Sequence, residues 1–351
     1  MFRRIAIVGG GAAAAAMLSE LVEYQPATPL HLDWYTGHAS SVRGVAYGTD
    51  DNQHLLNARA ASMGMFGGRP RGFLDFVQRD DPTITGTDFL PRRRYGDYLD
   101  AEVKRVLALG KARGHDVYVI PFAADAVVPE REGVTVLHGE QSRRVDAAVL
   151  ALGAMPPRPL AGVSAEAIDS GRYVTDPWPL LARAAACASP PANVVVIGMG
   201  LTAVDVVISL ARQWPQAKFS AVSRHGRLPE AHLRVAAMPS GDSIELIEAM
   251  QDAPEVRRWL HLLREAMAQG GEWRAIIDSL RPFVPTLWAE LSTEQRARFL
   301  RHGRSAWDRA RHRMPPQIAE AIATLEQQGR VERQCGRLQS VTLTKHGLQI
   351  T

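Results

Sequence analysis

The run "RIAIV", residues 4–8, is apolar after its first residue and rich in β-branched side chains. That is the pattern of a strand buried on both faces. Gly9, Gly10 and Gly11 interrupt it, and an alanine-rich stretch follows with Leu18, Leu21 and Val22 at helical spacing. The same order returns in "VVVIGMGLTAVDVVISLAR", residues 194–212: apolar strand, glycine turn, helix. Each turn reads G-x-G-x-x-A, through Gly9, Gly11 and Ala14 and again through Gly198, Gly200 and Ala203. The first glycine permits a tight turn, and the second lets backbone approach a pyrophosphate. The small third residue lets helix and strand pack closely. The helix N-terminus, with Leu201 and Thr202 in the second copy, faces the phosphates. The pattern predicts an α/β chain with two Rossmann-like dinucleotide-binding units, each carrying a β-meander.

The meanders come from a second repetition. "DVYVIPFAADAVVPEREGVTVLHGEQSRRVDAAVLALG", residues 116–153, reads as strands around turns and ends in an apolar strand. At a constant offset of 214, Val117 meets Val331, Val127 meets Val341, Gly133 meets Gly347 and Val136 meets Ile350, without a gap. The first copy continues into "VDAAVLALG"; the second ends at Thr351, just before that strand is due, and so reads as a unit cut short. Between the second loop and its meander lies a helical insertion at about 242–327. It is punctuated by Pro282, Pro285, Pro315 and Pro316, with Trp259, Trp273, Trp288 and Trp307 as core anchors. We draw a first dinucleotide-binding domain at 1–160, completed by 328–351, and a second at 161–327 that carries the insertion.

Composition narrows the picture without redirecting it. The 351 residues suit about two domains, and 46% hydrophobic and 22% charged residues are ordinary for a globular chain. A formal charge of +4 is too dilute, and comes without a recognisable module, for nucleic-acid binding. Cys187 and Cys335 are far apart and in no CxxC, which argues against a disulfide framework or a zinc site and excludes a redox pair of neighbouring cysteines. No histidine–carboxylate set has metal spacing, and no Ser/His/Asp set suggests a hydrolytic triad. The start lacks a signal peptide, and no run approaches the ~20 apolar residues of a membrane span. A cytoplasmic protein without a membrane is expected, a homo-oligomer remaining open.

Several segments resemble the FAD–NAD(P)-binding flavoproteins with a hydroxylase-like two-dinucleotide fold. "RGVAYGTDDNQHLLNARAASMGMF", residues 43–66, is similar to that family's GxAY…HLLN…A…M motif. "FLPRRRYGDYL", residues 89–99, is similar to its F-x-PR-x-x-YG-x-YL motif. "AVLALG", ending at Gly153, resembles the ATG segment that closes a flavin domain, with Leu152 in place of threonine. "IGMGLTAVDV" and "RHRMPP" match as well. More distantly, the layout resembles flavin monooxygenases of the N-hydroxylating type. The resemblance implies FAD in the first unit and NADPH in the second, and relatives that continue past residue 351.

Candidate residues follow. Flavin chemistry calls for amide donors where charge develops on the ring, and Asn57, with His54 and Leu55, is the best placed. On spacing alone an Asx-turn asparagine and a core histidine fit these positions too; the resemblance implies flavin contact. Arg92 heads a basic run before Tyr95-Gly96 and is a phosphate candidate, solvated charge being the alternative. Val127 in the first meander and Gly153 join the cofactor set. An acid ordinarily ends the second strand and holds the ribose hydroxyls. Here that strand is "LHLDWYT", ending at Tyr35 or Thr36, with Asp33 two or three residues earlier as the acid on offer. In the second unit Ser223 and Arg224 stand at the acid's place, which suits the 2′-phosphate of NADPH. Arg301, Arg304 and Arg311 form a cationic wall if one helix carries them. The expected protein is an FAD-dependent, NADPH-using oxidoreductase that hydroxylates a small molecule. The alternatives are a flavin reductase passing electrons to a partner and a non-catalytic FAD/NAD(P)-binding protein. No catalytic side chain is singled out.

Overall fold

A computed structural model describes residues 4–24, 28–37, 42–235 and 243–351. The chain opens with β1 (Arg4–Val8), α1 (Ala12–Glu23), β2 (His31–Tyr35), α2 (Gly44–Tyr47), α3 (Gly72–Asp80), α4 (Arg92–Ala112) and β3 (Asp116–Ile120). A meander follows: β4 (Ala126–Pro129), β5 (Val134–His138) and β6 (Gln141–Val145), antiparallel in the order β4-β5-β6. The chain then returns to the first sheet as β7 (Ala147–Leu150) and leaves through α5 (Ala165–Asp169) and α6 (Pro177–Arg183). The first sheet is parallel, in the order β3-β2-β1-β7.

The second half repeats this start with β8 (Asn193–Ile197), α7 (Leu201–Gln213) and β9 (Lys218–Ser223). The helical insertion holds α8 (Ser243–Asp252), α9 (Val256–Ala268), α10 (Trp273–Leu280), α11 (Val284–Glu290), α12 (Thr293–His302) and α13 (Arg304–Arg311). It closes on its own core of Ile247, Met250, Leu262, Leu280 and Leu287, with Trp259 and Trp307 packed against them. The chain ends with α14 (Pro316–Gln327), β10 (Val331–Cys335) and the hairpin β11 (Val341–Thr344) and β12 (Gly347–Ile350). The second sheet is parallel, ordered β10-β9-β8.

Strand registers reproduce the spacing read from the sequence. In the first sheet Ala6 faces Asp33, which faces Tyr118. In the second, Val195 faces Ser220, which faces Glu332. Tyr118 and Glu332 are 214 positions apart. The turn glycines Gly133 and Gly347 also agree, with φ of +93° and +149°.

Two expectations about organisation shift. The chain divides into compact units of residues 1–180 with 342–348, and 181–341 with 349–351. Of the segment 328–351, β10 therefore lies in the second sheet, where Val331 pairs with Phe219, and only 342–348 group with the first unit. α14 also leaves the helical insertion. It packs on α7 and β10, as α4 packs on α1 and β3, because its apolar positions Ile318 and Ile322 are needed to cover the sheet. The cationic wall does not form on one helix: Gly303 breaks the segment, leaving Arg301 in α12 and Arg304 and Arg311 in α13.

Candidate functional site

The first glycine loop is held from three sides. Its amide Gly9 N–H donates to the Tyr35 carbonyl at 2.9 Å, and the Trp34 indole donates to the Gly9 carbonyl at 2.9 Å. Gly9 has φ +143°, and a Cβ there would lie 2.1 Å from the Ala151 oxygen. Only glycine fits between the two strands at that point. Gly11 caps α1 in extended backbone, and a Cβ on it would meet nothing within 4 Å. Ala14 is fully buried under the helix, which lets α1 lie close to β1. The room over Gly11 at a helix N-terminus is the cradle an anionic pyrophosphate needs.

The two motifs downstream are one piece of structure. The Arg92 amide donates to the His54 carbonyl at 2.8 Å, the Leu56 amide to the Leu90 carbonyl at 2.8 Å, and Leu55 bridges Pro91 in antiparallel fashion. The Arg92 side chain donates through Nε to the Leu55 carbonyl at 3.1 Å. So Arg92 orders the His54–Asn57 segment. The start of α4 is also joined to α2, since a Cβ on Gly96 would sit 2.7 Å from the Tyr47 oxygen. α2 in turn reaches the glycine loop: a Cβ on Gly44 would lie 3.7 Å from the Gly11 Cα. Burial pushes the phenols of Tyr95 and Tyr47 above their ordinary range, with Arg92 drawing Tyr47 partly back.

His54 is buried, its Nδ1 2.6 Å from the Thr49 hydroxyl and its Nε2 3.8 Å from the Asp51 carboxylate. Trp178 closes on its ring edge-on at 5.7 Å. Nothing in the sequence pattern marked Trp178, which lies 124 positions away. Asn57 is half-buried beside this segment. Gly153 follows β7 with φ +68°, and Val127 lies in the meander opposite Val136.

Asp33 is placed differently from its expectation. Its carboxylate is fully buried between the sheet and the meander. It accepts from Arg4 Nε at 2.9 Å and from Arg143 at 3.0 Å. Alternation along β2 explains this: Leu32 and Trp34 face the helices, while Asp33 and Tyr35 face the meander. The residue following the strand is Thr36.

In the second unit Gly198 has φ +106°, and its amide donates to the Val222 carbonyl at 2.8 Å, as Gly9 does to Tyr35. Gly200 caps α7, with Leu201 and Thr202 in its first turn and open space above. By this pairing Ser223 occupies the place of Thr36. The Ser223 hydroxyl accepts from the Gly226 amide at 3.2 Å, and Arg224 beside it is exposed. A cleft of about 260 Å³ opens just beyond, lined by Arg227, Leu228, Arg309, Met314, Ile322 and Arg333. Arg309 is paired with Glu230 and Arg333 with Glu326, whereas Arg227 is exposed. Among the described residues no cluster of His, Cys, Asp or Glu is arranged to hold a metal ion, and no helix is long and apolar enough to cross a membrane.

These loops and their linked motifs agree with what comparison finds. Residues 6–155 match the model of a family described as FAD-NAD(P)-binding. No curated protein sequence matches the chain. Among solved structures, L-lysine 6-monooxygenase from Pseudomonas syringae superimposes with a TM-score of 0.59 at 16% identity, over 100% of this chain and 75% of that one. Ornithine N-hydroxylase from Kutzneria sp. 744 gives 0.57 at 15% identity, over 100% and 75%. The cadaverine monooxygenase of Erwinia amylovora gives 0.58 at 12% identity, over 100% and 73%. The chain therefore has the fold of these monooxygenases, and the segment that matches the FAD-NAD(P)-binding model begins inside β1 and takes in the first glycine loop, both linked motifs and the meander.

Proposed function

We propose that the protein is an FAD-dependent, NADPH-using oxidoreductase that hydroxylates a small, amine-bearing substrate. The observation that carries this reading is the pair of equivalent glycine loops in one chain, each with a helix N-terminus open above it. Two dinucleotides in one chain suit electron transfer between them. FAD, when bound, supplies the transfer of electrons from NADPH to oxygen. The chain's residues bind and orient: Gly9, Gly11 and α1 at the pyrophosphate, and the backbone of Leu55–Asn57, ordered by Arg92, toward the flavin. Trp178 packs edge-on against the His54 ring beside that segment. In the second unit Gly198, Gly200 and α7 take the other pyrophosphate, and Ser223 and Arg224 the 2′-phosphate. The amine-bearing substrate class is carried over from the neighbours, whose names specify lysine, ornithine and cadaverine. Both cysteines are free and exposed, Cys335 on β10 and Cys187 after α6, which counts against a disulfide reductase.

The test is spectroscopic. The purified protein, mixed with FAD, is expected to show bound-flavin absorbance that NADPH bleaches without oxygen, and oxygen uptake should rise with lysine, ornithine or a diamine. Absence of flavin absorbance sinks the reading. Bleaching without amine-stimulated oxygen uptake turns it into a reductase. Arg224→Ala should remove the preference for NADPH over NADH; an unchanged preference overturns the 2′-phosphate assignment.

A further inference from the structure

The buried ion cluster at Asp33 points beyond cofactor contact. Asp33 lies on the sheet rung Ala6–Asp33–Tyr118, and Arg143 on the meander rung Arg143–Val136–Val127. The Asp33–Arg143 pair, at 3.0 Å, joins these two rungs across the space between sheet and meander. Arg4 closes the other oxygen from β1 at 2.9 Å, and the Arg143 guanidinium lies 5.9 Å from the Tyr118 ring centroid. Asp33 is wholly shielded from water, while both arginines are partly exposed. A carboxylate so placed holds its geometry only while its cationic partners stay.

The rung matters because of what it borders. In a unit of this kind the adenosine half of a dinucleotide runs from the glycine loop toward the end of the second strand. That end, Tyr35, packs in one cluster with Ile120, Val127, Val134 and Val136. The meander is thus one wall of the adenosine end, and Arg143 is the meander side chain ion-paired to the sheet beneath it.

The geometry points to Asp33 as a positioning residue: with Arg4 and Arg143 it clamps the meander to the sheet, setting the wall along which the adenosine half of FAD lies. The inference rests on the FAD reading of the first unit. The ribose is left to the neighbourhood of Thr36, not to the acid. Among the described residues the equivalent rung of the second sheet has no such ion pair, Ser220 standing at the place of Asp33.

The test is a split between affinity and turnover in the full chain. Asp33→Asn and Arg143→Gln should each raise the Kd for FAD ten-fold or more, and weaken competition by ADP by the same factor. At saturating FAD, NADPH oxidation should stay within two-fold of wild type, and NADPH affinity should not change. Arg143→Lys, which keeps the charge, should recover part of the loss. Arg143 is partly exposed, so its variants test the idea even if Asp33→Asn does not fold. Unchanged FAD and ADP affinity overturns the clamp. So does a fall in saturated turnover with affinity intact, which would place Asp33 near the reacting end. Failure of the wild-type protein to bind FAD at all would instead remove the reading beneath it.

Discussion

The two units share a plan and differ in what surrounds their first strand. In the first, β1 lies between β2 and β7, and Ala6 is completely buried. In the second, β8 is the last strand of its sheet among the described residues, and Val195 at the equivalent place is 40% exposed. The loops inherit the difference. Gly9 is pinned by Ala151 beyond β7 and by the Trp34 indole; Gly198 has open space at its α-carbon, and Ala221 stands where Trp34 would be. A similar sequence pattern thus gives a closely packed glycine in one place and one with open space at its α-carbon in the other. Strand order, more than the glycine motif, decides how tightly the loop is held.

Substituting the two glycines should expose this contrast most strongly. Gly9→Ala adds left-handed strain to an overlap with the Ala151 carbonyl, and should cost about 2–6 kcal/mol, with loss of FAD binding. Gly198→Ala meets no neighbour and carries only the strain at φ +106°, about 1–3 kcal/mol. Urea unfolding of both variants measures the difference. Equal costs would mean that β7 does not constrain the first loop.

The sequence made the repeat readable because both of its carriers are local. Strand alternation keeps Val117 and Val331 in phase, and the turn glycines Gly133 and Gly347 hold positive φ in both copies. The pairing of the HLLN and PR…YG segments is hidden in their order: Arg92 reads as a phosphate candidate, and its bond to the Leu55 carbonyl comes from the fold. The fate of Asp33 was not legible. Arg143 lies 110 positions away, and only the packing of meander on sheet brings it to the carboxylate. Nor was the place of α14, whose helical period suits an insertion core as well as a sheet face; the strand beside it decides.

A reciprocal exchange on the equivalent rungs should give a smaller effect. Ala6→Val puts the second unit's residue into a fully buried position and should cost about 1–3 kcal/mol through overpacking. Val195→Ala, at a partly exposed edge, should cost about 1 kcal/mol or less. Thermal melts of the two variants decide between them. A larger loss for Val195→Ala would show that β8 is covered in solution.

The smallest expected effect is acid sensitivity confined to the first unit. His115, just before β3, is buried and accepts the Leu30 amide on Nδ1 at 3.0 Å. Burial, aided by Arg113, holds its pKa below the ordinary 6.5. The folded chain therefore keeps this imidazole neutral where the unfolded chain takes up a proton. Stability present above pH 6.5 is lost as pH falls from there toward the folded-state pKa. The offset of 214 puts Gly329 opposite His115, so the second unit has no equivalent group. On lowering the pH from 7.5 to 5.5, hydrogen exchange corrected for intrinsic rate should quicken in β2 and not in β9. His115→Gln should abolish that difference. If β9 loosens as much as β2, the acid response belongs to the whole chain and not to this histidine.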